Sequence, residues 1–457
     1  MKDLTVGKES GLIFKFAMPM LIANLFQQAY SIIDLVIIGN SHIGEPGIAA
    51  ITNSFHIIFS LIALIIGIAM GFNIIIAQYF GAKQIEKVKL TIDTMLVVIF
   101  VTSICVSILG VFIAEPIFNL VNVPENVMPL AVRYVQVYFM GVIAFFGFHG
   151  ISAILRGIGD SKTPLYLMIV AAVLNIILEW LFIIVLKWGI EWAALATIIS
   201  QGAVFIASII YLNKTHKIIR FSFDRLRFDK YITRKAIEIG LPTGAQSALV
   251  GFSMLAMLWI INPFGETVIA AFGSASRLDA LAGMPAMNFA AALSIFVSQN
   301  IGAGKLDRVR KGFYVTLLMT TIFALIITAT MVFFGESMMG MFSDDPAVIT
   351  IGHEYLIIVS SFYVLFTTMF VIGGVLRGAG DTLIPMFITL FALWAVRIPL
   401  ANYLSKTDIG VHGIWWSIPI AWALGVLLTF LYYKTGRWKK KNVIKEELTE
   451  KEVVIAP

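Results

Sequence analysis

The sequence predicts an all-α polytopic membrane protein, with twelve transmembrane helices in two six-helix parallel pseudo-repeats and both termini cytoplasmic. Three observations carry that prediction: apolar runs long enough to cross a bilayer, a one-sided placement of basic residues between the runs, and an internal repeat at constant spacing. Composition agrees. Of 457 residues, 59% are hydrophobic and 13% charged, whereas a soluble domain carries roughly 25% charged residues. That balance excludes a disordered chain and an ordinary soluble enzyme. The lone cysteine, Cys105, excludes an internal disulfide and a cysteine-ligated metal cluster. The net charge of +6 does not point to nucleic acid, because Lys and Arg sit in the gaps between apolar runs.

In chain order the expected spans are 14–39, 48–79, 92–114, 131–155, 165–187, 192–213, 236–262, 267–300, 313–335, 352–376, 383–404 and 411–433. A crossing needs about 20 residues, so each run suffices, and the second and eighth must tilt, bend or protrude. The first run continues to about Asn40, too long for the 7–15-residue core of a cleavable leader. Charge placement tests the count. With the N-terminus inside, only Lys187 and Lys406 fall in outside loops; Arg133, Arg277 and Arg397 lie within or at the edge of spans, and every other Lys and Arg lies inside.

The repeat is explicit. Arg156-Gly157-Ile158-Gly159-Asp160 matches Arg377-Gly378-Ala379-Gly380-Asp381, 221 residues later. The same offset takes Pro164 to Pro385, Gly81-Ala82 to Gly302-Ala303 and Gln78 to Gln299. Six spans per copy make the repeats parallel, related by an axis along the membrane normal. The expected organisation is an N-lobe at 1–213, a basic cytoplasmic linker at 214–235, a C-lobe at 236–434 and a charged cytoplasmic tail at 435–457. The linker, with Phe221, Phe223, Leu226 and Phe228, could also lie as an interfacial helix on anionic lipid.

Polar groups inside spans are costly and mark function by default. In the first span Asn24, Gln27, Ser31 and Asp34 recur at spacings that put them on one helical face. The fifth span carries Asn175 and Glu179 one turn apart, and the sixth carries Thr197 at similar depth. The repeat supplies a control: the 221-residue offset takes Asn175, Glu179 and Thr197 to Val396, Leu400 and Ile418, and the offset of 223 that takes Pro19 to Pro242 takes Asp34 to Met257, all apolar. The architecture therefore tolerates apolar residues there. A carboxylate pair with amide and hydroxyl neighbours can hold a proton or a small hard cation; the bland alternative is a hydrogen-bond network between helices. Arg277, Asp279 and Arg397 are candidates for an intramembrane ion pair that braces the second half. Met254, Met257, Met284 and Met287 could line an adaptable surface for flat, greasy ligands, alongside Asn24, Gln27 and Ser31. Pro19, Pro242 and Pro285 are candidate hinges. No phosphate-binding loop is present, so no ATP, cofactor or bound metal is expected.

Pro19 with the Asp34-to-Gly39 stretch, the two Arg-Gly-x-Gly-Asp turns with Pro164 and Pro385, and the Val297-to-Lys305 stretch resemble the multidrug and toxic compound extrusion (MATE) transporters of bacteria. The likeness covers about residues 10–435. It implies a two-lobe antiporter in the bacterial cytoplasmic membrane, working as a monomer, that exports organic cations and amphipathic drugs against an inward H⁺ or Na⁺ gradient. It implies that Asp34 is the central coupling residue and that Asn175, Glu179 and Thr197 complete the site, Glu179 standing where the family usually has Asp. NorM-like members carry acids in the seventh and tenth spans that bind Na⁺. None occurs here at 241–261 or 355–376, which favours a DinF-like arrangement with H⁺ coupling in the first lobe. The alternative is a flippase for lipid-linked precursors, which needs a strongly basic cavity; Arg277 and Arg397 are few for that task.

Overall fold

The computed structural model describes residues 2–120, 123–215, 226–444 and 447, apart from the side chains of residues 56, 60 and 61. Its helices are α1 (Glu9–Gly39), α2 (Gly44–Gly81), α3 (Ile85–Leu120), α4 (Met128–Met140), α5 (Val142–Gly157), α6 (Lys162–Glu179), α7 (Glu191–Thr215), α8 (Lys230–Ile261), α9 (Glu266–Gly302), α10 (Leu306–Met339), α11 (Pro346–Ser360), α12 (Tyr363–Ala379), α13 (Leu383–Leu390), α14 (Ile398–Leu404) and α15 (Val411–Lys434). Among the described residues, ten helical segments are long and apolar enough to cross a bilayer, and two bent pairs, each taken as one span, bring the number to twelve.

The two bent pairs fall within the expected spans 131–155 and 352–376. Between α4 and α5 the axis turns by 53°. Gly141 stands at that break, and the Ile198 side chain fills the space where a Cβ would project. Between α11 and α12 the axis turns by 50°. There the Thr328 hydroxyl donates to the Ser360 carbonyl at 2.6 Å, engaging a group of the helical ladder from outside. Two further spans contain π-helical turns, Trp180–Val185 directly after α6 and Phe391–Arg397 between α13 and α14. Such turns shift side chains off the regular helical register and are frequent at functional sites.

Packing divides the chain into two compact units: unit 1 is Met1–Asp3 with Pro19–Gly244, and unit 2 is Leu4–Met18 with Ala245–Pro457. These lines differ from the repeat boundaries at 213 and 236. One border falls at Pro19 within α1 and the other two residues past Pro242 within α8. Contacts explain both reassignments. In unit 2, Leu4 N–H donates to Gln299 at 3.0 Å, Lys305 Nζ donates to the Thr5 carbonyl at 2.9 Å, and Arg308 pairs with Glu9 at 2.9 Å. In unit 1, Gly67 and Gly71 of α2 meet Ala236, Gly240 and Gly244 of α8 so closely that a Cβ at any of these glycines would strike opposing backbone. Small residues four apart allow this helix contact. The linker's interfacial-helix reading falls on residues 216–225, outside the described residues.

The repeated motif has a physical purpose. In both copies the glycine before the Asp adopts a left-handed φ, 83° at Gly159 and 93° at Gly380. Asp160 N–H then bonds the Leu155 carbonyl, and Asp381 N–H the Leu376 carbonyl. Each is the paired-bond termination that closes a helix, and glycine makes it without Cβ strain. Asp160 goes on to accept from the N–H groups of Lys162 and Thr163, both at 3.0 Å, capping α6.

Candidate functional site

In unit 1, α1 carries Asp34 and the last residue of α6 is Glu179, 1% exposed. The two carboxyl groups lie within electrostatic reach of each other. Asp34 Oδ1 and Glu179 Oε1 have no hydrogen-bond partner. Two ionised carboxylates offer only acceptors and repel, so a shared proton or a cation relieves such an arrangement. Tyr30, one turn before Asp34, and Tyr134 of α4 lie within electrostatic reach of the site, and Tyr138 of α4 lies beside these two tyrosines.

Asn175, one turn before Glu179, donates its Nδ2 to Thr197 Oγ1 at 3.1 Å. Thr197 Oγ1 in turn donates to the Ala193 carbonyl at 3.3 Å. The hydroxyl's proton is thus spent on the carbonyl, which fixes the Asn175 amide as donor and leaves its Oδ1 without a partner. Gln201, one turn beyond Thr197, also has an unpartnered Oε1. The structure therefore brings together Asp34 with Glu179, and Asn175 with Thr197. On the rest of the predicted stripe, Ser31 Oγ donates back to the Gln27 carbonyl at 3.0 Å, and Asn24 is exposed. Among the described residues no three His, Cys, Asp or Glu gather as metal ligands.

Unit 2 holds a different cluster. Tyr363 donates to Asp279 Oδ1 at 2.5 Å and Tyr355 to Oδ2 at 3.4 Å. Arg397 ends the π-helical turn, is 6% exposed, and acts on Asp279 through space. The expected brace of Arg277, Asp279 and Arg397 is therefore corrected. Arg277 is exposed, and the direct partners of Asp279 are tyrosines, because the hydroxyls of α11 and α12 reach the carboxylate first. Met257 is also corrected: it is fully buried in the unit 2 core with Phe272 and Trp415, where it packs and lines no open surface. Met254 and Met287 are exposed, and Met284 is partly buried. Pro19, Pro242 and Pro285 all lie inside continuous helices. Pro285 borders a cavity of about 10 Å³ with Thr320, Tyr363 and Thr367, room for one water.

The sequence reading missed Tyr30, Tyr134, Tyr138, Gln201, Tyr355 and Tyr363. A signal existed for some of them: Tyr30 precedes Asp34 by four residues, Gln201 follows Thr197 by four, and Tyr134 and Tyr138 are four apart. That spacing places each pair on one helical face.

Two six-span repeats, each with buried ionisable groups at mid-span, define a multi-pass membrane transporter rather than an enzyme. The MatE family model matches residues 19–181 and 242–404, one match per repeat, and the chain belongs to that family. It is 32% identical to "Probable multidrug resistance protein YpnP" of Bacillus subtilis, over 97% of this chain and 99% of that protein. It is 24% identical to the "FAD transporter" of Shewanella oneidensis, over 90% of this chain and 91% of that one. A solved structure described as the outward-facing conformation of a multidrug resistance MATE family transporter shares the fold, with a TM-score of 0.89 at 21% identity, covering 96% of this chain and 99% of its own. The family and its small-molecule transport are thus established for this chain.

Proposed function

We propose that the protein is a secondary active multidrug efflux antiporter of the bacterial cytoplasmic membrane. It works as a monomer and exports small organic cations and amphipathic drugs in exchange for inward H⁺, by alternating access. What supports this reading is the proximity of the buried Asp34 and Glu179 carboxyls, each with an oxygen that has no hydrogen-bond partner; in the scheme the pair shares one proton. A second proton from outside neutralises the pair. Its release inside restores negative charge, which favours a bound organic cation. Proton and cationic substrate then compete for one electrostatic environment, and that competition is the thermodynamic content of exchange. H⁺ is favoured over Na⁺ because two carboxyls with few oxygen neighbours suit a shared proton better than the several oxygen ligands a metal cation takes.

The test is ethidium export from proteoliposomes under a pH gradient and then a Na⁺ gradient, for wild type and Asp34→Asn. Export driven by pH and lost in the variant supports the reading. Normal pH-driven export by Asp34→Asn would overturn it. Export under neither gradient would favour a flippase for lipid-linked precursors.

A further inference from the structure

The end of α15 and the start of α10 carry a basic surface of unit 2 that the carboxyl site does not use. α15 ends at Lys434, and Gly436 takes a left-handed φ of 68° that turns the chain out of the helix. A short 3₁₀ turn follows, Arg437–Lys440. Its Trp438 is 3% exposed: the ring stacks on Tyr433 at 5.4 Å, and the indole Nε1 donates to the Tyr433 carbonyl at 3.0 Å. Tyr433 stacks in turn on Phe313 of α10 at 5.2 Å. This ladder of three rings seats the turn against both helices. Asn442 and Val443 beyond it are buried as well, so the chain is packed to that point.

The ladder gathers positive charge. Lys434, Arg437, Lys439, Lys440 and Lys441 are exposed on or beside the turn, and Arg310 and Lys311 are exposed just before Phe313. None of these cations forms an ion pair among the described residues. In the stretches 306–314 and 430–444 the one acid is Asp307. Two of the cations stand over rings at the edge of an apolar surface. Lys434 Nζ lies 5.1 Å from the Phe430 ring, and the Arg310 guanidinium lies 5.9 Å from the Tyr314 ring. Phe430 and Tyr314 are themselves exposed, and the exposed faces continue apolar through Leu427 of α15 and through Leu318 and Ile322 of α10. An exposed apolar face on a membrane-spanning helix meets acyl chains. The cations therefore stand at the height of the lipid headgroups.

We propose that Arg310, Lys311 and the basic turn seated by Trp438 form a binding surface for anionic phospholipid headgroups. Uncompensated cations at this height attract a lipid phosphate. The chains of the same lipid lie along Phe430 and Tyr314, a contact that a soluble anion lacks. Basic residues also orient a chain during insertion, but that role needs charge alone and no aromatic seat. The proposal is independent of the coupling ion and of the exported substrate.

The experiment measures lipid at the protein surface. The full chain is reconstituted in phosphatidylcholine vesicles with a trace of spin-labelled phosphatidylglycerol or spin-labelled phosphatidylcholine. Electron paramagnetic resonance then gives the motionally restricted fraction of each label. At low salt wild type should prefer phosphatidylglycerol about fivefold, the attraction of about one cation per headgroup. Changing Lys434, Arg437, Lys439, Lys440 and Lys441 together to Gln should lower the preference to about twofold or less. The same change at Lys8, Lys15, Lys83, Lys162 and Lys230, exposed elsewhere on the chain, should lower it by less than about 1.5-fold. Trp438→Ala keeps every charge but removes the seat, and should lower the preference about twofold. Equal falls in the two Gln variants would assign the preference to net charge and overturn the proposal. Full preference in Trp438→Ala, or none in wild type, would overturn it too. If the Gln variants fail to insert, wild type still decides. Raising KCl from about 0.1 M to about 1 M shortens the Debye length from about 10 Å to about 3 Å and should erase most of the preference; indifference to salt would reject the surface. Excess glycerol 3-phosphate at fixed ionic strength should change nothing. Displacement of the labelled lipid by it would make a soluble anion the occupant and reject the lipid.

Discussion

Units 1 and 2 are built from one repeated six-span plan, yet they treat buried charge in opposite ways. Unit 1 sets one carboxyl against another and places no cation beside them. Unit 2 gives its carboxylate two tyrosine donors and a guanidinium nearby. The first arrangement offers only acceptors and calls for a proton or a cation. The second is already neutral as a cluster and has donors to spare. A duplicated scaffold can thus divide its labour: matching turns and helix closures hold the frame, and a few mid-span substitutions set which polar groups each half leaves unsatisfied.

One pair of matched substitutions tests the comparison directly. Asp279→Asn strips Arg397 of its compensating charge and should cost about 3–5 kcal/mol, read by equilibrium unfolding in detergent micelles. Asp34→Asn should leave stability unchanged or raise it by about 1 kcal/mol, since the new amide can donate to Glu179. If both changes destabilise equally, the contrast between the units fails. For transport the order reverses. Asp34→Asn should lower pH-driven ethidium export by about 100-fold, the removal of a titrating group worth roughly 3 kcal/mol.

Tyr363→Phe sharpens the picture of unit 2. It removes the shorter hydrogen bond to Asp279 and should cost about 1.5–3 kcal/mol, the value of a bond to a charged group. Tyr355→Phe, at the longer contact, should cost less in the same unfolding measurement. The smallest effect belongs to the frame. Lys83 (φ 61°) occupies the left-handed position that Gly304 (φ 72°) fills in the other copy. Lys83→Gly should therefore raise stability by about 0.5–1 kcal/mol, whereas Gly304→Lys should lower it by about 1–2 kcal/mol.

Much of the unit 1 site was legible beforehand. Asp34, Asn175, Glu179 and Thr197 are polar residues in apolar runs, and their repeat partners are apolar. Both facts are local or arithmetical. Tyr355 and Tyr363 of the unit 2 cluster were not legible, because a tyrosine in a membrane span is ordinary until its hydroxyl is seen to meet a carboxylate. The bends after Met140 and Ser360 were hidden for a related reason. Neither break falls at a proline, and each involves a side chain from another helix, Ile198 in one case and Thr328 in the other.

The sequence by itself determined the number of spans, the duplication, the helix-closing turns and the first-half carboxyl pair as a candidate. These follow from hydropathy, spacing and the conformational needs of glycine, which act over a few residues or repeat at a fixed interval. Only the tertiary structure decided that residues 4–18 pack with unit 2, that Asp279 turns to Tyr355 and Tyr363 rather than Arg277, and that Arg397 and Trp415 keep unpaired donors. Each of those outcomes depends on which side chains from distant helices arrive first at a shared position. Hydrogen bonds saturate and act at short range, so one-dimensional spacing cannot say which partner wins.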